Sequence, residues 1–68
     1  MIAVFSKHER DFQELQLRPK KNFKRIHKAN DVQGEKFEGI IFTFRWYESK
    51  PLREAYEHLI IRQPELKL

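Results

Sequence analysis

Eleven consecutive residues, Phe37 to Tyr47, limit the fold of this 68-residue chain more than any other stretch. β-branched and aromatic side chains dominate Phe37-Glu38-Gly39-Ile40-Ile41-Phe42-Thr43-Phe44-Arg45-Trp46-Tyr47, the composition of a strand. Its side chains alternate, with Ile40, Phe42, Phe44 and Trp46 on one face and Ile41, Thr43, Arg45 and Tyr47 on the other. The first face is wholly apolar and the second turns polar towards its end. That pattern predicts a central strand, covered well on one side and partly on the other. Gly39 inside it predicts a bulge.

Other elements arrange themselves around this run. Ile2, Val4 and Phe5 form a short apolar strand closed by Ser6. Ser6 is expected to cap a helix over residues 7–16, with Glu9 as its capping-box partner and His8, Phe12 and Leu15 on one face. Pro19 prevents that helix from running through Arg18. A strand is expected over 23–28, bracketed by Asn22 and by Asn30-Asp31. A helix is the competing reading there, since Phe23 and Ile26 lie three apart. It would gather Lys20, Lys24 and Lys28 on one side. Residues 29–36 read as a connection in which Gly34 supplies a positive φ. Ser49 caps a second helix, Pro51 sits in its first turn, and Leu52, Ala55, Tyr56, Leu59 and Ile60 form its apolar stripe before Pro64 ends it. The expected fold is α/β in the α+β sense, in the order β-α-β-β-α. It has a small three-stranded sheet with two helices packed on one face, against Ile40, Phe42, Phe44 and Trp46. Residues 1–64 make one globular domain, and 65–68 a short tail.

Charge is the second constraint. The chain has fourteen Lys and Arg against ten Asp and Glu, a formal net charge of +4. Six of those cations, Arg18, Lys20, Lys21, Lys24, Arg25 and Lys28, fall in one acid-free run. The rest of the chain is slightly acidic, so the positive charge is local, and a local basic surface selects an anionic partner. The leading expectation is a non-enzymatic, nucleic-acid-binding accessory or regulatory protein, whose six cations contact DNA or RNA phosphates without reading sequence. Phe23, Trp46 or Tyr47 would add base stacking. The bland alternative is an edge strand whose lysines block unwanted pairing. The functional alternative is a protein-interaction module, a small inhibitor or adaptor of the kind phage and plasmid genomes encode, docking on an acidic protein surface.

Catalytic and cofactor chemistry finds little support. With no cysteine, disulfides, thiolate metal sites and thiol nucleophiles are excluded. His8, His27 and His58 have no metal-ligand spacing, two glycines cannot build a phosphate loop, and no cofactor is expected. The third reading is a toxin-type ribonuclease using His27 with Arg25 or Arg45 and with Tyr47 or Glu38 as acid–base groups. Arg45 and Tyr47, beside Ile41 and Thr43, form a flat patch suited to a partner or dimer contact, while Trp46 is in phase with the core. Small chains often gain stability by self-association, so a homodimer is expected. No apolar run reaches a membrane span and the first residues lack a signal-peptide pattern, which makes the cytoplasm the expected location.

Overall fold

The computed structural model describes residues 1–67; Leu68, the end of the expected tail, lies outside the described residues. Strands β1 (Ile2–Phe5), β2 (Phe23–Ile26) and β3 (Gly39–Phe42) form one sheet in the order β2-β1-β3, with both pairings parallel. Helix α1 (Glu9–Glu14) lies between β1 and β2, and helix α2 (Lys50–Arg62) follows β3. The three-stranded sheet, the two helices and the β-α-β-β-α order are those the sequence predicts. The doubtful segment at 23–26 is strand, not helix.

The centre of the sheet is a correction. β1, not the long run at 37–47, is the middle strand. Ala3, Val4 and Phe5 are all fully inaccessible although alternate residues point to opposite faces, so β1 is covered on both sides. β3 keeps only four residues of the expected eleven and lies at an edge. Its end is set by Thr43, whose backbone N–H and hydroxyl both donate to the Phe5 carbonyl, at 3.1 and 2.8 Å. Arg45 then takes a left-handed conformation, φ +57°, and the chain turns into a 3₁₀ turn at Trp46–Glu48. The ladder from Ile2–Gly39 to Phe5–Phe42 is continuous, so the bulge expected at Gly39 is absent. Gly34 has the positive φ expected of it, +78°.

The core joins one face of the sheet to α2. Ala3, Phe5 and Ile26 pack against Leu52, Ala55 and Leu59, with Val32 and Phe37 added from the β2–β3 connection. The apolar stripe of α2 thus faces where its periodicity points. Ser49 caps the helix by accepting from Leu52 N–H at 3.4 Å, and Pro51 sits in its first turn. Trp46 stacks on Phe42 at 4.5 Å between ring centroids, and Phe5 and Tyr56 close the cluster at centroid separations of 5.5 to 6.1 Å. Of the face predicted to be apolar, Ile40, Phe42 and Trp46 reach the core. Phe44 does not: it is 86% exposed, because the turn through Arg45 breaks the alternation on which its burial was predicted.

Helix α1 contributes no buried residue. It is shorter than the predicted 7–16, and Ser6 is not its cap. Ser6 is buried and its hydroxyl donates to the His8 carbonyl, while His8 takes the N-cap position with no side-chain cap. Gln63 closes the other end of the molecule. Its Oε1 accepts from Phe37 N–H at 2.7 Å and its Nε2 donates to the Phe37 carbonyl at 2.8 Å, both within the buried interior. Beyond Pro64, Leu66 also packs on the core. No helix among the described residues is long and apolar enough to cross a membrane.

Candidate nucleic-acid interface

β2 is an edge strand, so the basic run lies along one open side of the sheet. Pro19 ends the preceding segment and Lys20–Asn22 forms a 3₁₀ turn that feeds Phe23 into β2. Arg18, Lys20 and Lys21 therefore sit at the strand's start and Lys28 beyond its end.

The six cations do not behave alike. Arg18, Lys20, Lys21 and Lys28 are exposed and make no salt bridge among the described residues. Lys24 is half-buried and its Nζ lies 2.9 Å from the Glu35 carboxylate. Arg25 turns inward. Its guanidinium donates to the carbonyls of Ser6 at 3.3 Å and Lys7 at 3.4 Å, tying the end of β1 to β2. Arg25 Nε is buried with no partner among the described residues. Two of the six thus have internal partners, and the side chains of the other four make no salt bridge among the described residues.

His27 has a structural neighbour. Asp31 Oδ2 accepts the backbone N–H of His27 at 2.9 Å and of Lys28 at 3.1 Å, and lies 3.2 Å from His27 Nδ1. Burial of the Asp31 carboxyl works to raise its pKa. The His27 and Lys28 N–H groups and the nearby His27 ring outweigh this and hold it below its ordinary value. Of the acid–base partners considered with His27, Glu38 is not brought to it. Glu38 precedes β3 and His27 follows β2, so parallel strands put them at opposite ends of the sheet. Glu38 is paired with the N-terminal ammonium at 2.6 Å, which lowers its pKa. Among the described residues, no three His, Asp or Glu are placed to share a metal ion.

Arg45 and Tyr47, the expected contact residues, are both exposed, Tyr47 by 57%. The flat patch around them is not formed, since Thr43 is buried. Arg45 instead hydrogen-bonds Glu48 through Nε at 2.7 Å and lies 5.9 Å over the Phe44 ring. Hydrogen bonding from Arg45, opposed by burial and helped by Lys7, holds the Glu48 carboxyl below its ordinary pKa. Leu15, 41% exposed, and Phe44 are two surface residues that sequence reading placed on buried faces. Each fell on a predicted apolar face, so nothing local marked them as exposed. Neither a known protein family, nor a curated protein, nor a solved structure matches the chain.

Proposed function

We propose that this chain is a small nucleic-acid-binding accessory protein, with no catalytic step of its own, that holds phosphates along its β2 edge. One observation supports the reading: Arg18, Lys20, Lys21 and Lys28, which flank β2, stay exposed and their side chains make no salt bridge among the described residues. In this proposal Lys24 and Arg25 shape the edge and the other four bind. Contact is to the backbone of DNA or RNA and carries little sequence preference. The reading places the protein in the cytoplasm, where such partners are.

Salt dependence tests it. Four phosphate contacts give a slope near −3.6 in log K against log salt, about a 150-fold loss of affinity between roughly 50 and 200 mM. Lys21→Ala should reduce that slope by about 0.9 and weaken all sequences alike. Lys24→Ala should leave the slope unchanged, because its ammonium is already held by Glu35. Fluorescence anisotropy with single- and double-stranded DNA and RNA reads all three. Absence of binding to any of them at about 50 mM salt would overturn the proposal.

A further inference from the structure

Between α1 and the start of the basic run lies a partly enclosed pocket of about 210 Å³, lined by Glu9, Phe12, Gln13, Gln16, Leu17 and Lys20. Glu9, Phe12 and Gln13 stand at i, i+3 and i+4, so they share one face of α1. The polar groups of the wall are uncommitted: the side chains of Glu9, Gln13, Gln16 and Lys20 make no hydrogen bond or salt bridge among the described residues. Gln16 is held at φ +50°, in the left-handed region where glycine is the ordinary choice, yet the residue there carries an amide. The volume is below the roughly 300–1,000 Å³ of sites that enclose a whole drug-sized ligand, and suits a single small ring system. Lys20, the one cation of the wall, also belongs to the basic run, and Arg18 follows Leu17 directly. A strand whose phosphates lie on Arg18, Lys20 and Lys21 therefore carries a base beside the pocket, since each base hangs one sugar away from its phosphate.

We infer that this pocket receives one unpaired base of a single strand, and that it prefers a base with an exocyclic amino group. Phe12 supplies a ring for stacking. The Glu9 carboxylate accepts and cannot donate, which selects the amino group of cytosine over the carbonyl that thymine and uracil hold at the same position. The Gln13 and Gln16 amides both donate and accept, so they hold the remaining edge of the base. Lys20 meets the phosphate attached to it. The inference rests on the phosphate-binding reading of the basic run, and adds to those sequence-blind contacts one position at which the identity of the base matters. Duplex DNA keeps its bases paired and stacked, so it engages the cations alone.

Fluorescence anisotropy with three probes of equal length, oligo(dC), oligo(dT) and a mixed-sequence duplex, gives the test. The two single strands offer the same number of phosphates and bases of the same ring size, so the base edge is what differs. Oligo(dC) should bind the wild-type chain about tenfold more tightly than oligo(dT). Glu9→Gln should bring the two within about twofold, because an amide also donates to the thymine carbonyl. It should leave the salt slope of both unchanged, since Glu9 holds no phosphate. Phe12→Ala, with unchanged circular dichroism, should weaken both single strands about tenfold and leave the duplex as it was. Equal wild-type affinities for oligo(dC) and oligo(dT) would overturn the pocket and leave the phosphate reading in place. So would a preference that survives Glu9→Gln, or a folded Phe12→Ala variant that weakens the duplex as much as the single strands. Failure of all three probes to bind at about 50 mM salt would overturn both readings together.

Discussion

Gln63 does for Phe37 what a neighbouring strand would do. Phe37 enters β3 with its backbone N–H and carbonyl both turned into the interior, and the Gln63 amide satisfies the two at once. Leaving a buried backbone group without a partner costs about 1–3 kcal/mol. Gln63→Ala should therefore destabilise the chain by about 2 kcal/mol or more, read as a lower denaturant midpoint with an unchanged m-value. Gln63→Glu should not rescue it. Its carboxylate still accepts from Phe37 N–H but cannot donate to the carbonyl, and it sets a negative charge beside that oxygen. Thr43 shows the same economy, with one residue giving two hydrogen bonds to Phe5 and so ending β3.

At the scale of elements, the turn Ala29–Val32 joins the basic edge to the core. Val32 is buried against α2 at its end, and Asp31 closes its start by accepting from His27 and Lys28. Arg62 of α2 donates to the carbonyls of Val32 and Glu35, fixing the same connection from the helix side. The Asp31 carboxyl is held below its ordinary pKa in the fold, so its contribution is present above the unfolded value and lost as pH falls through the folded one. Asp31→Ala should cost about 1 kcal/mol at neutral pH, the usual worth of such a cap. The difference should shrink below about pH 4, as the wild-type carboxylate takes up its proton. Thermal melts of both proteins across that range check it. A difference that stayed constant with pH would mean that the carboxylate charge has no part in the turn.

For the molecule as a whole the margin is small. A chain of this length is expected to hold roughly 3–10 kcal/mol of net stability. Phe5 touches Phe42, Trp46 and Tyr56 from the middle strand and is fully buried, so it joins the sheet to the aromatic cluster and to α2. Truncating a buried Phe costs about 3–5 kcal/mol. Phe5→Ala should leave much of the population unfolded at 25 °C, visible as lost near-ultraviolet dichroism. Phe44→Ser, at a position that reads as equally apolar in sequence, should shift stability by less than about 0.5 kcal/mol. What could be read in advance was whatever depends on near neighbours in the chain. The Ser49 cap, the α2 stripe, the turn at Gly34, the strand at Phe23–Ile26 and the place of the basic run all rest on periodicity or on contacts within a few residues. The tertiary structure alone decided which strand is central, which cations remain free and that Phe44 faces solvent. Lys24 meets Glu35 eleven residues away, Arg25 meets Ser6 nineteen away, and Thr43 meets Phe5 thirty-eight away. Until the sheet brings those partners together, a cation committed to the fold and one free for a ligand look the same.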